Sequence, residues 1–277
     1  MKDSLSLSGT DWRIHDDPDG KGAERGMPEA DASSPGWTSA SVPGNIQADL
    51  EAAHLLKPLW YGAGDPRLAD VARKDWWYRK DFTVPQSFAG KRVKLVFEGV
   101  DHECEVWLNG VKIGGHAGMY RQVGYDVGTA LRPDQVNRLA VRIARMPPSL
   151  DRHIGMPSQI KVYRHELSEI KCPSFGLDWG IGVYSLGIWK DVRLEASGPA
   201  RIDYVRVQTK LDAPWRKATV VVRLEVDSQE QLVAQARFRI EGHGAGVSTD
   251  VATSLSAGYN QIEASLDLDQ PALWWPS

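Results

Sequence analysis

The stretch LVFEGVDHECEVWLNGVKIGGHAGMY, residues 95–120, decides how the chain is read. Apolar and polar side chains alternate along EVWL and again along VKIG, the period of a half-buried strand. Between them stands Asn109-Gly110. Both central residues of a type I′ turn need positive φ, and Asn-Gly between alternating runs is the strongest short hairpin signal. The stretch therefore predicts two antiparallel strands joined by a two-residue turn.

Outward from the hairpin the same period recurs in RVKLVFEGV, NRLAVRIA and DVRLEA, then in DYVRVQTKL, ATVVVRLEV, ARFRIEG and QIEASLDL. Helix is scarce. The convincing candidate is PGNIQADLEAAHLL, residues 43–56, with Asn45 as its cap and Ile46, Leu50, Ala53 and Leu55 as an apolar stripe. The breakers Ser197, Gly198 and Pro199 separate two groups of strands, which sets a domain boundary there. The expected fold is all-β: a jelly-roll sandwich over residues 1–197, with long Gly- and Pro-rich connections, and a smaller immunoglobulin-like sandwich over 198–277.

A net charge of −3 in 277 residues gives no basic surface for nucleic acid or an anionic membrane. No apolar run reaches the length of a membrane span. The start MKDSLSLSGTDW lacks the apolar core of a signal peptide, so the expectation is a cytoplasmic chain or an exported enzyme stripped of its signal. The seven histidines, among them His102, His116, His153 and His165, form neither HxH nor HExxH, so no metal site and no cofactor are expected. Cys104 and Cys172 read as two buried thiols, with a disulfide the alternative. Eleven Trp against five Phe suit both a large core and indole stacking on sugar rings; for any single one, Trp107 and Trp189 included, the core is the expectation.

Four motifs in order carry a resemblance. SVPGNIQADL (41–50), DWWYRKDFTVP (75–85), the hairpin stretch, and FGLDWGIGVYSLGIWKDVRLEA (175–196) together resemble the amino-terminal sugar-binding domain of glycoside hydrolase family 2, which includes β-galactosidases, β-glucuronidases and β-mannosidases. The last motif is most similar to the β-mannosidase branch, where a Trp-Asp-Trp-Gly run precedes Gly-Ile-Trp. LWWP, residues 273–276, is similar to the end of the family's immunoglobulin-like domain, which continues into a last strand and then a catalytic (β/α)₈ barrel. The resemblance thus implies a fragment whose second sandwich lacks its last strand, with Trp274 and Trp275 placed to meet that strand or the barrel. An open sheet edge of this kind invites a homodimer.

Glycoside hydrolysis needs two carboxyl groups, roughly 5–5.5 Å apart for retention of configuration. The family places both as barrel glutamates, one of them in an Asn-Glu pair. No Asn precedes a Glu in this sequence. Glu98, Asp101, Glu103 and Glu105 alternate as a solvated strand face would, and no Ser-His-Asp order, nucleophile elbow or phosphate loop offers another reaction. No catalytic residue is therefore expected here, and the chain alone should be inactive. What the resemblance does imply is substrate contact: Asp178 matches the aspartate that grips hydroxyls of the sugar, and Trp179 the second tryptophan. Leu177 stands where the first tryptophan would be, and Glu169, Ile170 and Lys171 replace a basic pair. Read locally, Asp178 between Gly176 and Gly180 could instead bond the backbone of its own turn. The implied partners are a terminal β-linked sugar and the barrel. The alternatives are a stand-alone carbohydrate-binding module and purely structural sandwiches.

Overall fold

Asn109 and Gly110 take φ of 52° and 82° and join β6 (Glu103–Leu108) to β7 (Val111–Ala117), as the sequence predicts. The computed structural model describes residues 3–58, 67–145, 184–242 and 245–275. It divides into two units, Lys2–Ala196 and Ser197–Ser277.

In the first unit, two antiparallel sheets enclose one core. One runs β1 (Asp3–Ser6), β10 (Val192–Ser197), β5 (Arg92–Phe97), β8 (Val123–Asp126). The other runs β3 (Thr38–Val42), β2 (Gly9–Asp17), β4 (Asp75–Thr83), β9 (Val136–Ile143), β6, β7. Strand β4 is the axis of the larger sheet, and every side chain from Asp75 to Lys80 is buried. Trp76 and Tyr78 point into the sandwich core. Trp77 points the other way, into a small cluster with Trp107, Ala140, Met27 and Trp37, its ring 4.9 Å from that of Trp107. Burial on both faces explains why DWWYRK shows no clean alternation.

Three buried tryptophans of this unit have their indole N–H satisfied by a neighbour: Trp12 donates to Leu7 O at 2.8 Å, Trp76 to Val71 O at 2.9 Å, Trp77 to Asp17 Oδ2 at 3.1 Å. With the polar end satisfied, burying an indole contributes up to about 4–6 kcal/mol as an area-based upper bound. The charged residues of β4 are likewise partnered. Lys80 pairs with Asp11, and Arg79 donates to Pro28 O at 2.8 Å and to Asp81 Oδ1 at 3.2 Å.

Helix α1 spans Ile46–Ala52, and Asn45 Oδ1 accepts from Ala48 N at 2.9 Å, the expected cap. Its apolar stripe is shorter than the sequence suggests. Ile46 and Leu50 are buried, but the helix ends at Ala52 and His54 turns the chain with φ of 59°, so Leu56 enters the core while Leu55 stays 48% exposed. A second short helix, α2, spans Leu68–Ala72. Cys104 is a buried free thiol, and burial pushes its pKa up to about 12; Cys172, His153 and His165 lie outside the described residues. Among the described residues no helix is long and apolar enough to cross a membrane.

The second unit is also all strand. β11 (Ala200–Leu211), β12 (Lys217–Ser228) and β15 (Gly258–Asp269) form one antiparallel sheet, and β13 (Leu232–Gly242) and β14 (Ala245–Leu255) form another. Leu224, Val226, Phe238, Ile262 and Leu266 make the core. Trp215 and Trp275 meet edge to face at 5.3 Å, and Trp274 is 83% exposed beside them. These indoles line a groove of about 470 Å³ with Leu211, Val220 and Leu273.

Candidate functional site

The residues singled out for sugar contact, Asp178 and Trp179, lie outside the described residues, as do Leu177, Glu169, Ile170 and Lys171. The two flanks of that segment are described, and each is fastened to the first unit.

The downstream flank, Tyr184–Trp189, is held from two sides. On one side stands α1 with its lead-in. Gly44 N donates to Ile188 O and Ile46 N to Leu186 O, both at 2.9 Å. The buried amide of Gln47 bridges the same chain, donating to Tyr184 O at 2.7 Å and accepting from Leu186 N at 3.3 Å. On the other side Asp101 and Gly187 exchange backbone hydrogen bonds of 2.8 and 3.1 Å, and Ser185 Oγ donates to Asp101 Oδ2 at 2.6 Å. The upstream flank ends on one carboxylate. Asp75 Oδ1 accepts from Arg145 N at 3.0 Å and Nε at 2.8 Å, and Oδ2 from Arg142 Nε at 2.8 Å. Burial alone would raise the Asp75 pKa; the hydrogen bonds from Arg145 and Arg142 outweigh it and hold the carboxyl below its ordinary value.

The downstream flank borders a cleft of about 380 Å³. Asn45, Asp101 and Ser185 contribute its polar lining, and Met119, Tyr120 and Trp189 its apolar wall. The Tyr120 and Trp189 rings stand 6.2 Å apart at 84°, a right-angled corner. Trp189 is fixed in it by its Nε1–H bond to Met119 O at 3.0 Å and by the Lys190 ammonium 4.5 Å from the ring centroid.

Two expectations need correction here. Trp189 is not a core residue but half-buried at the cleft. Asp101 is not on a solvated face: it is 3% exposed, because its peptide bridges to Gly187 and draws it out of the alternation of β6. Met119 and Tyr120 lie in the 95–120 stretch and Ser185 in the 175–196 stretch, but nothing in either marks them as neighbours. The only local hint is an aromatic, Tyr120, placed two residues past the glycine-bounded GGHAG run.

Helix α1 itself carries another buried carboxyl, that of Asp49. Asp49 Oδ1 accepts from Ser41 N at 3.0 Å, while Oδ2 has no hydrogen-bond partner among the described residues. Burial raises its pKa from 3.8 to about 6. The folded state therefore holds this proton more tightly than the unfolded one. Stability falls as pH rises from about 4 to about 6, by on the order of 3 kcal/mol in all, and is level above that. Asp49→Asn should remove this slope and raise the urea midpoint at pH 7.5. Midpoints measured from pH 4 to 8 that run parallel for the two proteins would contradict it. Among the described residues no group of His, Cys, Asp and Glu is arranged to hold a metal ion.

The description "Glycosyl hydrolase 2 galactose-binding domain-like" matches residues 12–190, the body of the first unit. The chain belongs to glycosyl hydrolase family 2. A further match, "Glycosyl hydrolases family 2", covers residues 200–277 of this family 2 chain, so both all-β units are accounted for. β-Mannosidase B of Aspergillus clavatus is 27% identical over 259 residues, 89% of this chain and 30% of that protein. β-Mannosidase of Mus musculus is 30% identical over 255 residues, 86% of this chain and 29% of that protein. The crystal structure of β-D-mannosidase from Dictyoglomus thermophilum superposes with a TM-score of 0.79 at 28% identity, over 99% of this chain and 32% of that one. A β-glucuronidase from Ruminococcus gnavus shares the fold, with a TM-score of 0.65 at 19% identity, over 99% of this chain and 41% of that one. The family 2 chain thus spans about 30% of the length of the β-mannosidases it matches.

Proposed function

We propose that the chain is the non-catalytic, sugar-gripping portion of a β-mannosidase-like exo-glycosidase, whose paired catalytic acids stand on a barrel outside these residues. The observation that carries this reading is the likeness to the Dictyoglomus β-D-mannosidase along 99% of the chain. The chemistry of the sequence supports it: no Asn-Glu pair is present. In this reading Asp178 accepts hydrogen bonds from hydroxyls of the terminal sugar, and Trp179 stands beside it. The fastened flanks at Arg145 and Tyr184 support such a role, because a gripping carboxylate is effective only when its position is fixed before the sugar arrives.

Losing one buried polar partner costs about 1–3 kcal/mol. Asp178→Ala in the full-length enzyme should therefore lower kcat/KM on an aryl β-mannoside by about 10- to 100-fold. An unchanged kcat/KM would favour sandwiches that only support the barrel. The 277-residue chain by itself should release no aryl alcohol.

The second sandwich is part of the same proposal. Among the described residues β13 pairs only with β14, which leaves a strand edge uncovered. We propose that a strand outside this chain closes it in the complete enzyme. In the isolated chain the edge is free to pair with a second copy. Light scattering should then show dimer growing with concentration, and monomer throughout would contradict it.

A further inference from the structure

We propose that Asp49 is a pH-sensitive latch: while its carboxyl is neutral, helix α1 stays seated on the Tyr184–Trp189 chain, and when the carboxyl ionises, helix and chain part. The latch consists of described residues alone and is independent of the role proposed for Asp178.

Asp49 follows the cap Asn45 by about one helical turn. Beneath that turn lies the phenol of Tyr78, because a Cβ on Gly187 would meet both Tyr78 Oη, at 2.7 Å, and Asn45 Cα, at 2.9 Å. Two buried polar atoms are left over there: neither Asp49 Oδ2 nor Tyr78 Oη has a hydrogen-bond partner among the described residues. The turn that carries Asp49 is also the one that holds the chain. Gly44 N donates to Ile188 O, Ile46 N to Leu186 O, and Leu186 N to Gln47 Oε1. Gln47 stands between Asn45 and Asp49, so its hold cannot outlast an outward tilt of the helix. Ser185, Gly187 and Trp189 of the same chain line the cleft, whose wall therefore depends on the seating of α1.

The surroundings of the carboxyl offer its charge almost nothing. Strand β3 has no titratable side chain and supplies only the Ser41 N–H. Strand β4 supplies Tyr78, whose phenol is pushed up by burial and then by the Asp49 charge, against a pull from the Ile188 N–H. The 184–189 chain supplies Tyr184, kept neutral by burial and by the charges of Asp101 and Glu103. On α1 itself the other acid is Glu51, of the same sign. No Lys, Arg or His of the described residues acts on Asp49. A carboxylate with one N–H donor and no cation is costly to bury, whereas the neutral acid is not, so ionisation favours whatever exposes it. Burial holds the seated acid at about 6, and an exposed one titrates near 3.8. The lifted form therefore gains as pH climbs between those values and keeps its gain above them.

Amide hydrogen exchange of the 277-residue chain, followed by NMR and corrected for intrinsic rates, tests the latch. Protection of Gly44, Ile46 and Leu186 should fall about tenfold from about pH 5 to about pH 8, the ratio set by an acid of pKa about 6 when seated and 3.8 when lifted. Amides of β7, at the opposite edge of the sheet from β3, should show no such fall. The three amides should also stay less protected than Val141 of the central strand β9, which marks unfolding of the whole sandwich. Asp49→Asn keeps an acceptor for Ser41 N but cannot ionise, so it should abolish the fall. If that variant does not fold, the parent decides: the Asp49 carboxyl ¹³C signal should titrate with a midpoint of about 6, and a midpoint below about 4.5 would overturn the proposal. So would a fall no larger than that of β7, a fall retained in Asp49→Asn, or protection equal to that of Val141.

Discussion

Gly187→Ala is expected to lower the free energy of unfolding by about 2–5 kcal/mol. Two independent effects add. Gly187 has φ of 146°, a conformation that L side chains rarely adopt. A Cβ built there would also lie 2.7 Å from Tyr78 Oη and 2.9 Å from Asn45 Cα. Neither neighbour can retreat. Tyr78 is fully buried in the central strand, and Asn45 caps α1. Urea unfolding measures the loss. Tyr78→Phe removes the nearer obstacle, so in a double-mutant cycle the alanine should cost less in that background, by about 0.5–2 kcal/mol. A loss below about 1 kcal/mol in the parent would mean that the Tyr184–Trp189 chain is not clamped as described. The cleft shares this dependence, since Gly187 lines it and bridges to Asp101.

Asp75→Ala is expected to cost about 2–4 kcal/mol at pH 7, toward the lower end of what breaking a buried ion pair entails. The carboxylate is 1% exposed and accepts bonds from two guanidinium groups and a backbone amide. Its removal strands Arg142 and Arg145, though both reach some solvent and Arg142 keeps Glu105 as a partner, which moderates the loss. The sign with pH follows from the depressed pKa: the contribution of Asp75 is present at neutral pH and disappears as the carboxylate protonates in acid. The gap between parent and variant should therefore close below about pH 4. A local effect accompanies the global one. Arg145 N loses its acceptor, so trypsin should cut after Arg145 faster in the variant than in the parent. Equal cutting rates at matched stability would show that the upstream flank is held by something other than Asp75.

What the sequence reveals depends on how far apart the interacting residues stand. The Asn109-Gly110 turn and the Asn45 cap are local events, decided within a few residues, and both are read correctly without any structure. The end of α1 is not, because the choice between Leu55 and Leu56 for the core is made by the space left around the helix. In β4 the burial of Asp75, Arg79 and Lys80 is invisible in DWWYRK itself. Their partners Arg142, Pro28 and Asp11 come from elsewhere in the chain, and a charge without a visible partner reads as exposed. Asp101 misleads for the same reason, since only the bridge to Gly187 distinguishes it from Glu103 and Glu105. The expected pair Asp178 and Trp179 rests on motif order, whereas the cleft brings together side chains from the 41–50, 95–120 and 175–196 stretches, a juxtaposition that no one of them shows.

The clamps at Asp75 and Gln47 have a further implication for how such a chain can change. Arg145 and Tyr184 are each secured by groups belonging to β4, α1 and the turn before β6, so the sandwich itself fixes where the chain departs and where it returns. A substitution at Asp75 or Gln47 would therefore shift an anchorage without altering any residue of the stretch it anchors.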